Sequence, residues 1–343
     1  MTKRSGRLHI SIVAFAAAVT LAALAGCSAT PEVADEPGAT QLSINLGATQ
    51  GGPASLLPRI ADKEGMFESR NLTVDFAVQG SGPELLAAAL AGDVDVFGTA
   101  AGLTNAAAAQ GECIQYLTMD IGSIYSVVGR ADLDWPNAGK GYPDAIRDLK
   151  GKTIGVTARG AATELMLRSL LTGAGVNPDS DVTFVAVGGP ATIVTAIQEK
   201  TVDASFALPP VQQILGDDGY VDIYDPKSDP SKPLGDALVQ GTAATCGFVK
   251  ANEPAAQAFC SAMSEAADFV RDPANSKVTI ETLAEIQGAS FEDAEKSWTA
   301  LSIAFGTAPK MTEAIWDAQA AYTSAEFKHV SYKDGVYAAC QSS

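Results

Sequence analysis

Two parts of this chain resemble each other at a nearly constant offset, and this repeat constrains the fold more than any other feature. The segment KTIGVTARGAATELMLRSLLTGAG (152–175) predicts a short buried strand, a tight loop and an apolar helix. The segment INLGATQGGPASLL (44–57) has the same order, and residues 48–51 align with residues 157–160 at an offset of 109. The repeat therefore predicts two similar α/β units.

A second pair of segments supports the same division. GPELLAAALAGDVDVF (82–97) aligns with GPATIVTAIQEKTVDASF (189–206), with Gly82 over Gly189 at an offset of 107 and Asp95 over Asp203 at 108. Two α/β lobes whose strand-end loops face each other enclose a cleft, which is the usual place for a ligand. We therefore expect a two-lobed protein with an interlobe site.

The loop between the strand and the helix of residues 152–175 suggests anion binding. The start of a helix presents unpaired backbone N–H groups, and its dipole favours a negative charge. Arg159 adds a fixed positive charge in this loop. The residues leave open the alternative of an ordinary strand–helix junction with a solvated Arg159.

The first 26 residues have the pattern of an export signal. Lys3, Arg4 and Arg7 form a basic region, an apolar run without acidic residues follows, and Cys27 comes directly after Gly26. This arrangement resembles a bacterial lipoprotein signal in which Cys27 is lipidated. A plain secretory signal and an uncleaved anchor are the alternatives. Residues 27–40 then form a polar, Pro-containing flexible tether.

The charge of the chain excludes some partners. Loss of the three cationic residues of the signal changes the formal net charge from −17 to −20. Nucleic-acid phosphates require a basic surface, so we expect no nucleic acid as a partner. The same charge disfavours electrostatic docking on anionic lipid.

Cysteine and histidine usage restricts the chemistry. Cys113, Cys246, Cys260 and Cys340 remain after the signal, and four cysteines in an exported chain suggest two disulfides with three possible pairings. Cys246 with Cys260 and Cys113 with Cys340 is one pairing that the sequence allows, and four free thiols are the alternative. His329 is the one histidine left after the signal, so a histidine-based catalytic or metal site has little support.

The order of predicted elements gives a division into domains. We place the first crossing between lobes between Gly129 and Pro136, and a strand over residues 241–250 returns to the first lobe. The remaining helices lack partner strands, and we expect them to pack on the first lobe. The predicted parts are a signal peptide (1–26), a tether (27–40), a discontinuous first lobe (41–131 and 241–343) and a second lobe (132–240).

Several motifs together resemble a known family. They are the lipoprotein signal, RIADKEGMFESRNLTVDF (59–76), LLAAALAGDVDVFGT (85–99), DLKGKTIGVTARGAATELMLRSLLTGAGVNPD (148–179) and GGPATIVTAIQEKTVDASF (188–206). This set is similar to the solute-binding proteins of ABC importers, and nearest to the nitrate/sulfonate/taurine and NMT1/THI5-like family. The resemblance implies an α/β type II periplasmic binding protein fold, with two lobes, a hinge and a cleft that closes on a small solute.

The resemblance also implies a set of ligand-binding residues. Arg159 and nearby helix starts would bind an acidic group, threonine hydroxyls would donate hydrogen bonds, and an aromatic and aliphatic wall would cover the apolar part. The implied residues are Thr49, Gln50, Gly98, Thr99, Asp120, Ser123, Tyr125, Arg159, Gly160, Thr163, Phe206 and Leu208. Each of them also has a possible structural role.

The implied function is that of a receptor rather than an enzyme. The resemblance predicts a monomer, lipid-anchored on the extracytoplasmic face of the cell membrane, that delivers a small organic anion such as a sulfonate or carboxylate to an ABC permease and its ATPase. It implies no cofactor, metal or catalytic residue. The alternatives are a THI5-like enzyme of pyrimidine synthesis, whose cysteine-rich motif and histidine are absent, and a ligand-sensing receptor. The sequence leaves the solute and the choice between transport and sensing open.

Overall fold

The structure, a computed structural model, describes residues 41–231, 240–305, 311–318 and 330–341. The predicted signal, the tether, Cys27 and His329 lie outside these residues. Strands β1–β10 are Leu42–Thr49, Leu72–Gln79, Val96–Thr99, Ile114–Ile121, Ser126–Arg130, Thr153–Val156, Thr183–Ala186, Ala204–Ala207, Tyr220–Tyr224 and Gln240–Thr245.

Thirteen α-helices accompany the strands in the described ranges. Helices α1–α7 are Leu56–Lys63, Gly82–Ala91, Ala101–Ala109, Asp144–Arg147, Ala162–Gly173, Pro190–Gln198 and Val211–Leu215. Helices α8–α13 are Cys246–Ala251, Glu253–Arg271, Ser276–Gln287, Phe291–Leu301, Glu313–Ala318 and Tyr332–Gly335.

The strands form two five-stranded sheets, as the repeat predicts. The first sheet has the order β2-β1-β3-β10-β4 and the second has the order β7-β6-β8-β5-β9. In each sheet the first three strands are parallel, and the strand that enters next is antiparallel to them. The two sheets thus have equivalent topologies, and the expectation of an α/β fold with two lobes is confirmed.

The repeat also reproduces individual hydrogen bonds. In the first sheet the Asn45 N–H donates to the Asp95 carboxylate at 2.8 Å, and in the second sheet the Thr153 N–H donates to the Asp203 carboxylate at 2.9 Å. Each aspartate thereby fixes the strand that follows a helix against the first strand of its unit. Gly51 and Gly160, which also align, both have positive φ angles of 69° and 74°, a conformation that favours glycine.

The chain crosses between the sheets earlier than the sequence predicts. Strand β5 pairs with β8 and β9 of the second sheet, whereas the prediction assigned it to the first lobe and placed the crossing between Gly129 and Pro136. The first crossing is therefore residues 122–125. A buried apolar strand such as SVVGR fits either sheet by its pattern alone, so its partner strands decide its place.

The returning strand is shorter than predicted. β10 ends at Thr245, and α8 occupies the remainder of the segment that was predicted as a strand over residues 241–250. The Thr245 hydroxyl accepts a hydrogen bond from the Phe248 N–H at 3.2 Å and caps this helix. Thr245, as a helix-capping residue, is the local signal for the start of α8 that the prediction from the sequence overlooked.

The disulfides join other cysteines than the pairing considered from the sequence. Cys113 is bonded to Cys246 and Cys260 to Cys340, each with a Cα–Cα distance of 5.4 Å. The register of β10 against β4 pairs Thr245 with Ile114, so the following Cys246 comes to lie beside Cys113. The pairing of Cys246 with Cys260 is therefore wrong, because β10 carries Cys246 to the edge strand.

The helices that follow β10 pack on the first sheet, as expected. The ring of Phe259 on α9 stacks on Phe67 with 5.8 Å between ring centroids, and both are buried in the main hydrophobic core. Helix α11 also contacts α7, so this helical region reaches the second sheet's side of the molecule. In the described ranges, no helix is long and apolar enough to cross a membrane.

Candidate functional site

A cavity lies where the carboxyl ends of strands from both sheets face each other. We call it the central cavity; its lining consists of residues 46–50, 52–55, 80–82, 98–100, 161–163 and 189–190, together with Pro58, Phe76, Leu103, Tyr125, Thr157, Leu208, Gln240 and Thr242. Its volume is about 90 Å³. This space holds several water-sized groups and therefore suits a small solute.

Helices from both lobes begin at the central cavity. Helices α3, α5 and α6 start after Ala100, Ala161 and Gly189, all of which line it. In the structure as described, no side chain caps these three helix starts by a hydrogen bond. The first backbone N–H groups of α3 and α5 are thus available to a ligand, whereas α6 begins with Pro190, which has no N–H, and offers the N–H of the next residue. The three helix dipoles favour negative charge at the same place.

The residue that precedes each of these three helices is small. Ala100, Ala161 and Gly189 adopt extended backbone conformations, which the residue before a helix commonly has. None of them carries a side-chain oxygen that would bind the N–H groups itself. Ser81 differs, because its hydroxyl accepts from the Glu84 N–H at 3.4 Å and caps α2.

The lining of the cavity is uncharged and mostly apolar. Among the described residues that line it, none is an aspartate, glutamate, lysine, arginine or histidine. Threonine hydroxyls, backbone groups and two glutamines provide the polar surface, and Phe76, Leu103, Leu208 and Tyr125 provide the apolar surface. Any charge on a ligand must therefore be stabilised by dipoles and hydrogen bonds and not by an ion pair.

Tyr125 forms the wall on the side of the interlobe crossings. Its ring stacks on Phe206 with 5.3 Å between centroids, and its hydroxyl accepts a hydrogen bond from Gln240 Nε2 at 2.5 Å. Burial raises the pKa of Tyr125 above its ordinary value. The hydroxyl therefore stays protonated at neutral pH and acts as a neutral hydrogen-bonding group.

The structure brings together part of the set of residues implied by the resemblance. Thr49, Gln50, Gly98, Thr99, Tyr125, Thr163 and Leu208 line the central cavity. Asp120, Ser123, Arg159, Gly160 and Phe206 do not line it. Phe206 supports Tyr125 from behind, and the Gly160 N–H donates to the Glu164 carboxylate at 2.8 Å.

Arg159 has a structural partner instead of a place in the cavity. Its Nε donates to Glu164 Oε2 at 2.9 Å, and its guanidinium lies 5.8 Å from the centroid of the Phe184 ring. Arg168 binds the other Glu164 oxygen at 2.8 Å. The buried carboxylate, five residues further along the chain, thus holds Arg159 away from the site for which the sequence suggested it.

Asp120 and Ser123 lie close together in the chain, the first in β4 and the second in the first crossing. Asp120 is buried near the end of β4, and burial raises the pKa of its carboxyl to about 7, with a partial opposing effect from the Thr118 hydroxyl. The Ser123 hydroxyl is buried and makes no hydrogen bond within the described ranges. Asp120 thus belongs to β4 and Ser123 to the first crossing, and neither lines the cavity.

The sequence reading missed several cavity residues. Ala100, Gly189, Pro190 and Gln240 line the cavity but were not among the implied set. The alignment of Gly189-Pro190 with Gly82-Pro83 was a usable signal, because the repeat places equivalent helix starts at equivalent sheet edges. Gln240, the first residue of β10, had no comparable signal in the sequence.

Among the described residues, we find neither a group of metal ligands nor an acid–base pair in the lining of the cavity. In the part of the chain that the structure describes, no group of three or more His, Cys, Asp or Glu side chains is arranged to hold a metal ion. The titratable side chain that lines the cavity is Tyr125.

Comparison with solved structures shows the same architecture in other proteins. A protein from Bordetella bronchiseptica RB50 is 22% identical with a TM-score of 0.72, covering 86% of this chain and 94% of its own. The alkanesulfonate-binding protein SsuA from Xanthomonas axonopodis pv. citri, bound to MOPS, is 19% identical with a TM-score of 0.65, covering 82% and 91%.

A third solved structure has the same architecture. The periplasmic nitrate-binding protein NrtA from Synechocystis PCC 6803 is 16% identical with a TM-score of 0.60, covering 74% of this chain and 69% of that one. These TM-scores show that the chain shares the periplasmic binding protein fold. A search among curated proteins gives no significant match. The sequence model of the NMT1-like family matches residues 38–284, and this chain therefore belongs to the NMT1-like family.

Proposed function

We propose that the protein is the extracytoplasmic solute-binding component of an ABC importer and that it binds a small organic acid in the central cavity. The convergence of the uncapped starts of α3, α5 and α6 on an uncharged cavity carries this proposal. The sulfonate- and nitrate-binding proteins of the same fold support an acidic ligand. A sulfonate or carboxylate has the oxygen atoms that such N–H groups bind.

The proposed contacts differ from those implied by the sequence. Thr49, Thr99 and Thr163 supply hydroxyl groups and Tyr125 and Leu208 supply apolar surface, in agreement with the resemblance. The N–H groups of the helix starts replace Arg159 as the binding partners of the acidic group. Backbone donors of this kind are fixed before the ligand arrives, so their geometry costs little to organise.

A binding role fits the cavity better than catalysis. General acid–base catalysis needs a group whose pKa lies near the working pH, whereas the pKa of Tyr125 is raised above an already high ordinary value. The cavity lining in the described residues contains no carboxylate, histidine, cysteine or lysine. The described lining of the cavity thus gives no support to the alternative of an enzyme of pyrimidine synthesis.

We further propose that a lipid on Cys27 anchors the monomeric protein outside the cell membrane and that lobe closure presents the solute to the permease and its ATPase. The residues of the signal support the anchor, and the two-lobed fold supports closure. Replacement of Cys27 by alanine is expected to release the protein from the membrane fraction. Retention of the variant in that fraction would contradict the lipid anchor.

A thermal-shift titration of residues 28–343 tests the proposed ligand class. The probes are ethanesulfonate, propionate and nitrate, with propanol and glycerol as neutral controls. A ligand that binds only the folded state raises the midpoint temperature of unfolding. At a ligand concentration 100 times its Kd, the free energy of unfolding increases by about 2.7 kcal/mol. Midpoint shifts confined to the acids support the proposal, and shifts confined to the neutral solutes contradict it.

A further inference from the structure

A pair of threonine hydroxyls in the first sheet adjoins the central cavity. Thr242 of β10 lines the cavity, and it pairs across the sheet with Thr118 of β4 on one side and with Gly98 of β3 on the other. The hydroxyl oxygens of Thr118 and Thr242 are 2.7 Å apart, and either of them can be the donor. Gly98 also lines the cavity and has no side chain, so the cavity reaches the sheet next to Thr242.

A buried carboxyl lies beside this hydroxyl pair. Asp120 comes two residues after Thr118 in β4 and is 3% exposed. Its Oδ1 is buried and has no hydrogen-bond partner among the described residues. The Thr118 hydroxyl favours the ionised carboxyl and thereby partly opposes the effect of burial on its pKa. A series of side chains thus leads from Asp120 through Thr118 to Thr242 at the cavity.

No neighbouring charge stabilises the Asp120 carboxylate within the described ranges. Strand β4 packs against β10, α3, α9 and α13, and neither β10 nor α3 contains a charged residue. The charged residues of the other two helices are Glu253, Glu265, Asp268 and Arg271 on α9 and Lys333 and Asp334 on α13. All of these except Arg271 are exposed, Arg271 is paired with Asp268, and none of them shifts the pKa of Asp120.

The nearby tyrosines do not supply a charge either. Burial raises the pKa of Tyr116, on the same strand, and of Tyr125, at the end of the first crossing, so both hydroxyls stay neutral at ordinary pH. A carboxylate without a cationic partner in a buried place is costly, whereas a protonated carboxyl costs much less. The protonation of Asp120 is therefore sensitive to a negative charge that enters the cavity.

The protonation state of Asp120 also limits how the hydroxyl pair can be oriented. An ionised carboxylate only accepts hydrogen bonds, so it turns the hydroxyl hydrogen of Thr118 towards itself and away from Thr242. A protonated carboxyl can donate to Thr118, which is then free to donate to Thr242. The buried negative charge of the ionised form also repels an anion in the cavity, since the effective dielectric constant there is low. Both effects make the protonated form the better host for an acid.

We propose that the central cavity binds an acid together with one proton, which is taken from solution and held on Asp120. This inference rests on the proposed function, because it needs an anion in the cavity. In the ligand-free protein, burial raises the pKa of the Asp120 carboxyl to about 7, and an anion nearby raises it further. The affinity should therefore fall as pH rises through the ligand-free pKa, and binding should remove protons from solution.

Calorimetric titration of ethanesulfonate into residues 28–343 between pH 5.5 and pH 8.5 tests this coupling. Ethanesulfonate stays ionised over the whole range, so its own titration does not contribute. We expect its Kd to be about five- to tenfold higher at pH 8 than at pH 6. Titrations at pH 7.5 in buffers of different ionisation enthalpy measure the protons taken up, and we expect more than about half a proton per ligand.

Substitutions assign the proton to Asp120. Asp120→Asn keeps the shape and neutrality of the protonated carboxyl, so its Kd should change by less than about twofold from pH 6 to pH 8, without proton uptake. Thr118→Val removes the hydroxyl that favours the ionised carboxyl and should move the loss of affinity to higher pH. Asp222→Asn is the matched control and should behave as the unaltered protein does. Burial also raises the pKa of Asp222, but this residue lies in β9 of the second sheet and does not line the central cavity.

The outcomes separate this inference from the proposed function. Binding of ethanesulfonate by the unaltered protein with a constant Kd and no proton uptake overturns the role of Asp120 and leaves the binding of small acids intact. A pH dependence that persists in Asp120→Asn, or that is lost equally in Asp222→Asn, also overturns it. Failure of both ethanesulfonate and propionate to bind at pH 6 overturns the inference together with the proposed ligand class.

Discussion

Arg159 donates from Nε to Glu164 Oε2 at 2.9 Å, and this pair lies beside the central cavity without contributing to its lining. Glu164 is buried and also accepts hydrogen bonds from Arg168 and from the Gly160 N–H. The arginine that the sequence suggested as an anion ligand thus neutralises a buried carboxylate. The features of the cavity that favour an anion are then the dipoles of the helix starts, which no charge count of the sequence reveals.

This relationship predicts the effect of Arg159→Ala. The side chain of Arg159 is more than half exposed, so we expect loss of less than about 1 kcal/mol of stability. The affinity for a small acid should stay within about twofold, because no cavity contact is removed. Calorimetric titration and urea unfolding of the variant measure both quantities. A tenfold loss of affinity would return Arg159 to the binding site.

Asp120 predicts a specific dependence of stability on pH. Burial raises the pKa of its carboxyl to about 7 in the folded state, while an aspartate in the unfolded chain has a pKa near 3.9. Between these values the folded state holds a proton that the unfolded state has lost, so stability falls as pH rises through this window.

The variant Asp120→Asn removes that titration. Its stability relative to the unaltered protein should increase from pH 4 to pH 8 by roughly 2–4 kcal/mol. Urea unfolding of both proteins across this range gives the difference at each pH. Parallel stability curves would show that Asp120 titrates normally and is not desolvated in the fold.

The disulfide pattern predicts which peptides are covalently linked. Proteolysis of the unreduced protein should yield a fragment that joins Cys113 to Cys246 and another that joins Cys260 to Cys340. Replacement of Cys113 and Cys246 together by serine should lower the free energy of unfolding by about 2–4 kcal/mol. Mass spectrometry that finds Cys246 linked to Cys260 would contradict the pairing, and with it the register of β10 against β4.

Substitutions at Gly98 test whether the ligand occupies the space next to this residue in the central cavity. A Cβ atom added there would have its nearest neighbours at 3.9 Å, which are Ala54 Cβ and Gly47 O. Gly98→Ala should therefore fold normally and change affinity by less than about threefold, whereas the larger Gly98→Val should reduce the affinity for a small acid more than about tenfold by occupying ligand space. Similar affinities for the two variants would place the ligand elsewhere.

The sequence was sufficient to predict two α/β lobes because the same pattern of strand, loop and helix occurs twice in the chain. Asp95 and Asp203 recur at the predicted offset and make the same hydrogen bond in each sheet, so local pattern and tertiary contact agree. The same applies to Gly51 and Gly160, whose positive φ angles need the residue that the sequence has. For these strands and turns, the equivalent in the other lobe supported a correct prediction from the sequence.

Prediction failed where an outcome depended on contacts between distant elements. Strand β5 is apolar on both faces and could join either sheet, and the cysteines pair through the register of β10. The orientation of Arg159 depends on whether Glu164 is buried, which is decided by the packing of α5. Gln240 Nε2 donates a hydrogen bond to the Tyr125 hydroxyl, 115 residues away in the chain. No sequence pattern connects these two residues.

The central claim is that small acids bind at the helix starts of the cavity without an ion pair. Its most direct test is calorimetric titration of ethanesulfonate, 2-hydroxyethanesulfonate, 2-aminoethanesulfonate and propionate into the unaltered protein, Arg159→Ala and Gly98→Val. We predict that at least one acid binds the unaltered protein, binds Arg159→Ala equally well and loses more than about tenfold affinity in Gly98→Val. Affinity that is lost in Arg159→Ala and retained in Gly98→Val would contradict the account.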